Sequence, residues 1–177
     1  LLVEAVNLLK REKSDLSGKR FLIIGDLLIG NQKEKAYKAT LESKIQEYGL
    51  QDLFVFTGRH NNMRAVYKDI DILLNCSVEP EPLGTTIYEG MSMGKLAVAS
   101  HLGGSPEIVD HGLNGVIFKQ GDASSLKDAI KAALQMHRAG GYNPRQKVVS
   151  HFDVRKSVQN YEQAFAGMPG QKNLVKK

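Results

Sequence analysis

The feature that most constrains the fold is the repeated alternation of short apolar runs with longer helical patterns. The short runs are rich in branched aliphatic residues and end at glycine or polar residues, which is typical of buried strands. Five strands are predicted in this way: Arg20 to Gly25, Phe54 to Thr57, Ile70 to Asn75, Leu96 to Ser100 and Gly115 to Phe118. Because these runs are continuously apolar, both faces of the sheet should be covered, which indicates parallel strands.

Helical patterns separate and follow the strands. Seven helices are predicted: Leu1 to Leu9, Lys33 to Tyr48, Asn62 to Lys68, Thr85 to Met93, Ser124 to Arg138, Pro144 to His151 and Val154 to Ala166. Right-handed crossovers between parallel strands place such helices on both faces of a sheet. We therefore expect an α/β, doubly wound, Rossmann-like domain with one parallel sheet over residues 1–166. A mobile tail rich in glycine, proline and lysine is expected at 167–177.

Composition argues against membrane-spanning and nucleic-acid-binding functions. No apolar run approaches the roughly 20 residues that a membrane-spanning helix needs. The net charge is +5, but no basic patch is interleaved with aromatic residues, so we expect no nucleic-acid partner. The single cysteine, Cys76, lies in an apolar run, which favours a buried structural thiol and a reducing, cytoplasmic compartment. The positive charge leaves a peripheral association with anionic membranes open.

Several common ligand-binding motifs are missing from the sequence. The first strand leads into Gly25-Asp-Leu-Leu-Ile-Gly30 rather than Gly-x-Gly-x-x-Gly, which argues against a nicotinamide or flavin cofactor. Neither the phosphate loop of NTPases nor the Gly-x-Ser-x-Gly turn of hydrolases is present. The histidines also lack the spacing of metal ligands, so we expect no metal; they are His60, His101, His111, His137 and His151.

The loop after the third strand carries the most informative residues, since ligands of parallel sheets lie beyond the carboxyl ends of the strands. Glu81 precedes a proline and should be extended, while Gly84 lets a ligand approach the backbone. Thr85 and Thr86 open a helix whose N–H groups favour a phosphate. Glu89 follows about 6 Å further along that helix, an offset that suits the ribose of a nucleotide diphosphate. Spacing alone leaves open that both glutamates are solvated surface charges.

A second group of residues follows the fourth strand. Gly103 and Gly104 permit a close backbone turn, Ser105 can cap a helix, and Pro106 suits its first turn. A second helix N-terminus is therefore predicted at the same edge of the sheet. Taken alone, the glycine pair favours a simple tight turn.

Together these motifs resemble the group 1 glycosyl transferases, a retaining family of GT-B architecture with two Rossmann domains. The family has two glutamates separated by seven residues, with Pro-Phe-Gly after the first, and then Gly-x-Pro-Val-Val-Ala, Gly-Gly, Glu-Ile-Val and Asn-Gly. This chain has the corresponding segments in the same order: Glu81 to Glu89, Gly94-Lys-Leu-Ala-Val-Ala99, Gly103-Gly104, Glu107-Ile-Val109 and Asn114-Gly115. It departs from the pattern at Leu83, where the family has phenylalanine, and at Lys95, where it has proline. It also starts after the strand and the Arg…Lys pair with which the family begins this domain.

The resemblance implies a role for each site residue. Glu81 would be catalytic, facing the donor sugar near the reacting carbon, and Glu89 would bind the ribose. Backbone N–H groups from Leu83 to Thr86 would hold the sugar and diphosphate, with the glycine pair Gly103 and Gly104 beside them. Arg59 and His60 lie where the family packs the base.

The resemblance also implies the activity. The chain would be the C-terminal nucleotide-sugar-binding half of a GT-B enzyme, without its first strand, and inactive on its own. Its donor would be a UDP- or GDP-type sugar, transferred without a metal to a glycan or lipid-linked acceptor held by an N-terminal domain. Two alternatives remain: a degenerate module that binds the nucleotide sugar without turnover, and a GT-B epimerase acting on the same donors.

Overall fold

The computed structural model describes residues 1–26, 32–79 and 84–166. These ranges contain five strands and eight helices. The strands are β1 (Phe21–Ile24), β2 (Phe54–Gly58), β3 (Ile72–Asn75), β4 (Leu96–Ser100) and β5 (Gly115–Phe118). The helices are α1 (Leu2–Arg11), α2 (Gln32–Glu47), α3 (Met63–Asp69), α4 (Thr85–Ser92), α5 (Ser105–Ile108), α6 (Ala123–Ala139), α7 (Pro144–His151) and α8 (Val154–Ala166).

Every predicted strand and helix is present, and most ends lie within two residues of the predicted ones. The start of β3 moves from Ile70 to Ile72 because Ile70 terminates α3, its backbone N–H bonding to the carbonyl of Val66. Ser105 was predicted to cap a helix, and this is wrong. Gly104 is the N-cap of α5, and Ser105 is a buried first-turn residue next to Pro106.

The strands form two parallel sheets rather than the single sheet that we predicted. β1 pairs with β2, whereas β3, β4 and β5 form a separate sheet in that order. Among the described residues, β1 and β3 share no strand ladder. The prediction of a single sheet was wrong because strand pairing depends on contacts between residues far apart in the chain, which the apolar runs do not specify. All three ladders between the named strands are parallel, as the continuous apolar runs predict.

One hydrophobic cluster joins the two sheets. The rings of Phe21 in β1 and Phe54 in β2 stack with their centroids 5.4 Å apart. The same cluster contains Val98 of β4 and Phe118 of β5, together with buried residues of α1 and α6. The two sheets therefore share one core.

A second cluster covers the opposite face of β4. Ala97 and Ala99 belong to this cluster, together with Ile87 of α4 and Ile108 of α5, whereas Val98 between them faces the first cluster. All five residues of β4 are buried. Covering both faces of the central strand explains its continuous apolar sequence and makes the domain doubly wound. In the described ranges, no helix has both the length and the apolar character needed to cross a bilayer.

Candidate functional site

Two loops leave the three-stranded sheet at the same edge. β3 and β4 are parallel, and their register places Asn75, the last residue of β3, opposite Ala99. The chain after β3 leads to Gly84 and α4, and the chain after β4 leads to Gly103 and α5. The structure therefore brings both predicted groups to the carboxyl ends of adjacent strands, where α/β proteins bind ligands.

Helix α4 begins at this edge with a glycine cap. Gly84 is the N-cap, and because glycine has no side chain, the cap residue itself offers no side-chain oxygen to the first N–H groups of the helix. Thr85 and Thr86 are exposed, and the Nδ2 of Asn75 lies 3.3 Å from the Oγ1 of Thr86, which holds the helix start against the end of β3. A Cβ added at Gly84 would lie 2.7 Å from Cδ1 of Ile87. Close packing against Ile87 therefore favours glycine at position 84. The positive end of the α4 dipole lies at the carboxyl ends of β3 and β4.

Glu89 lies one turn further along α4, and its side chain is exposed. The hydroxyl of Tyr67, in α3, donates a hydrogen bond to Oε2 of Glu89 at 2.8 Å. The tyrosine is only 4% exposed, and burial, with the hydrogen bond to Glu89, raises the pKa of Tyr67 well above its usual range. The phenol therefore stays protonated and remains a donor at all physiological pH values.

A cleft of about 340 Å³ opens beside this pair. It is lined by Arg64, Tyr67, Glu89, Ser92, Met93 and Arg145. Arg145, at the start of α7, donates a hydrogen bond to the carbonyl of Ser92 at the end of α4. The cleft thus presents one carboxylate and two guanidinium groups.

A larger cleft of about 560 Å³ is lined by residues of α7, α8 and the turn between them and includes none of the predicted site residues.

The loop after β4 has the glycine geometry that its sequence indicates. Gly103 has φ of +57°, a conformation that residues with a side chain rarely adopt. Gly104 caps α5, which is only four residues long. Just before this loop, Ser100 is 1% exposed, and its hydroxyl has no hydrogen-bond partner among the described residues.

The remaining predicted site residues are placed differently. Arg59 and His60 are exposed and directly follow β2, which in the described part of the chain shares no strand ladder with β3 or β4. Glu81 and Leu83 lie outside the described residues. Tyr67 was not anticipated from the sequence, because its partner is 22 residues away on another helix.

Metal ligands and the cysteine thiol are the other groups that could carry chemistry. Among the described residues, no group of three or more His, Cys, Asp or Glu side chains is arranged to hold a metal ion. Burial raises the pKa of the Cys76 thiol to about 12, so at neutral pH the thiol is protonated and a poor nucleophile.

Comparison with known proteins identifies a clear family match. The family model described as glycosyl transferases group 1 matches residues 1–150. The N-acetyl-alpha-D-glucosaminyl L-malate synthase of Bacillus anthracis is 28% identical over 139 residues, covering 77% of this chain and 35% of that protein. The 2-deoxystreptamine glucosyltransferase of Streptomyces kanamyceticus is 33% identical over 116 residues, covering 64% and 28%. The chain therefore spans about a third of these relatives.

Solved structures give the same result at the level of the fold. The crystal structure of Anabaena Alr3699/HepE in complex with UDP is similar with a TM-score of 0.82 at 25% identity, over 94% of this chain and 44% of that one. The same protein in complex with UDP-glucose matches with a TM-score of 0.79 at 25% identity and the same coverage.

Proposed function

Because the chain belongs to the group 1 glycosyl transferases, we propose that it is the donor-binding half of a two-domain enzyme of GT-B architecture. The donor is a nucleotide-diphosphate sugar of the UDP or GDP type. The enzyme transfers the sugar with retention of anomeric configuration and without a metal. The acceptor is a glycan or a lipid-linked glycan held by an N-terminal domain, which fits a cytoplasmic protein working at or near a membrane.

One observation carries this proposal: the glycine-capped start of α4 and the Gly103–Gly104 loop lie at the carboxyl ends of two paired strands. A diphosphate at this edge would meet the N–H groups and the positive end of α4. Glu89 lies one turn further along the helix, at the distance of a ribose from the diphosphate. The UDP and UDP-glucose complexes of the similar Anabaena protein support this choice of ligand.

The order of the strands supports the proposal that the domain is completed by one more strand, its first. The usual doubly wound order is 3-2-1-4-5-6. Without strand 1, this order leaves a parallel pair and a parallel triplet, as in the arrangement of β1–β2 and β3–β4–β5. The first strand would then lie between β1 and β3 and join the two sheets into one.

In the proposed mechanism, the chain stabilises the charge that develops on the diphosphate as the sugar departs. The first turn of α4 contributes N–H donors, and its dipole contributes about 0.3–1 kcal/mol at an exposed site. Glu81 faces the sugar hydroxyls near the reacting carbon, and Leu83 to Thr86 hold the sugar and the diphosphate through their backbone. Glu89 fixes the ribose, and Arg59 and His60 contact the base.

A thermal-shift series with UDP, GDP and ADP tests donor binding and identifies the base. A nucleotide present at 100 times its Kd should stabilise the fold by about 2.7 kcal/mol. We expect UDP or GDP to raise the Tm at millimolar concentration and ADP to have a smaller effect. If none of the three raises the Tm, the proposed donor site is wrong.

Activity assays of the full-length enzyme and of its Glu81→Ala variant distinguish the glycosyl transferase from the two alternatives, a non-catalytic binding module and an epimerase. In the full-length enzyme, Glu81→Ala should abolish turnover and leave the affinity for the free nucleotide nearly unchanged. A non-catalytic module would show no turnover before the change either. An epimerase would convert the donor sugar without any acceptor, which chromatography of the unreacted donor detects. The 177-residue chain alone should transfer no sugar.

A further inference from the structure

The contact between Tyr67 and Glu89 joins a buried donor to an exposed acceptor. The tyrosine ring packs in the interior with 4% exposure, whereas Glu89 lies on the exposed side of α4. A buried tyrosine hydroxyl has few orientations and needs a partner. An exposed glutamate otherwise samples several rotamers in water. The 2.8 Å hydrogen bond therefore restricts the glutamate much more than the tyrosine.

The same hydrogen bond leaves most of the carboxylate available. An ionised carboxylate has about four lone-pair positions on its two oxygens, and Tyr67 uses one of them, on Oε2. The remaining positions can accept both hydroxyls of a ribose. The pair also borders the cleft of about 340 Å³ between α3, α4 and α7, so a ligand can reach it.

We infer that Tyr67 is a positioning residue for donor binding, whose hydroxyl holds the Glu89 carboxylate ready to accept the two ribose hydroxyls. This inference rests on the proposed function, in which Glu89 contacts the ribose. Holding the carboxylate in place before the nucleotide arrives lowers the entropy lost on binding. Arg64 and Arg145 line the same cleft, and in this arrangement Tyr67 keeps Glu89 directed to the ligand rather than to either cation.

The test is calorimetric titration of the 177-residue chain with UDP or GDP, whichever binds more tightly, and with its 2′,3′-dideoxy analogue. Tyr67→Phe removes the hydroxyl and keeps the ring. We expect the affinity for the ribonucleotide to fall by roughly three- to ten-fold and the affinity for the dideoxy analogue to stay within about two-fold. Tyr142→Phe is the matched control, because its hydroxyl lies 2.8 Å from Nδ1 of His137, outside the site; it should change neither affinity.

The double variant Tyr67→Phe, Glu89→Ala should bind the ribonucleotide no more weakly than Glu89→Ala alone, because alanine already removes the carboxylate that Tyr67 positions. Equal losses for the two nucleotides would mean that Tyr67 only supports the fold, and would overturn the inference. A loss with Glu89→Gln but none with Tyr67→Phe would overturn it while leaving the proposed function intact. If the unmodified chain binds neither nucleotide, the proposed function fails and the inference fails with it.

Discussion

Replacing Glu89 by glutamine isolates the charge of this side chain from its shape. Glutamine has nearly the same size, and its amide oxygen can still accept the hydrogen bond from Tyr67. The position is exposed on α4, and the change weakens the hydrogen bond from Tyr67 without removing it, so the free energy of unfolding should change by about 1 kcal/mol or less. Any larger effect of Glu89→Gln on nucleotide affinity therefore reports on the ligand and not on the fold.

The magnitude follows from the kind of hydrogen bond that is lost. A hydrogen bond to a charged group contributes about 1.5–3 kcal/mol, and one between neutral groups about 0.5–1.5 kcal/mol. With both ribose hydroxyls bound to one carboxylate, removing the charge should cost about 1.5 kcal/mol or more. That cost corresponds to a loss of about ten-fold or more in affinity.

Isothermal titration with the nucleoside diphosphate measures this loss directly. Glu42→Gln is the control, since Glu42 is also an exposed helical glutamate but lies on α2, and it should leave the affinity unchanged. Equal affinities of Glu89→Gln and the unmodified chain, within two-fold, would refute the argument that Glu89 binds the ribose.

Three further predictions concern stability and reactivity. Gly115→Ala should destabilise the fold by about 1–3 kcal/mol, because the new Cβ would lie 2.3 Å from the carbonyl oxygen of Ala97; an unchanged urea midpoint would contradict this. The hydrogen bond from Lys44 lowers the pKa of Glu4 well below its usual value of 4.5. Glu4→Gln should therefore lower the free energy of unfolding by up to about 1 kcal/mol at pH 7. Because protonation of Glu4 removes this stabilisation of the folded state, the difference between the variant and the unmodified chain in denaturation curves should fade as the pH falls from 4.5 to about 2. Cys76, with its pKa raised by burial to about 12, should react with iodoacetamide much more slowly in the folded chain than in urea, and equal rates would show that the thiol is accessible.

The individual strands and helices could be predicted because the residues that begin and end them are recognisable in the sequence. Leu96–Ser100 is a run of small and aliphatic residues between Lys95 and His101, and it forms β4 with the predicted bounds. Val154–Ala166 likewise forms α8 as predicted. The apolar periodicity and the residues that end each run are sufficient for such assignments.

What the sequence did not predict depends on contacts between distant residues. The division into two sheets is decided by which strands pair, and an apolar run such as Phe21–Ile24 does not specify its neighbour. The cap of α5 is Gly104 rather than Ser105, because the helical backbone already begins at Ser105, which is a buried residue of the first turn. The Tyr67–Glu89 contact joins two helices, and neither residue carries a local signal for it.

The central claim is that a nucleotide binds at the carboxyl ends of β3 and β4. Amide chemical shifts of the isotope-labelled chain, followed during titration with UDP and GDP up to millimolar concentration, test it most directly. We predict the largest changes at residues 84–86, at Glu89 and at residues 103–104, with an affinity in the micromolar to millimolar range, on the order of −4 to −8 kcal/mol. The turn around Gly112 precedes β5 at the opposite edge of the sheet, and its amides should not change. Shifts confined to that turn, or no shifts with either nucleotide, would contradict the account.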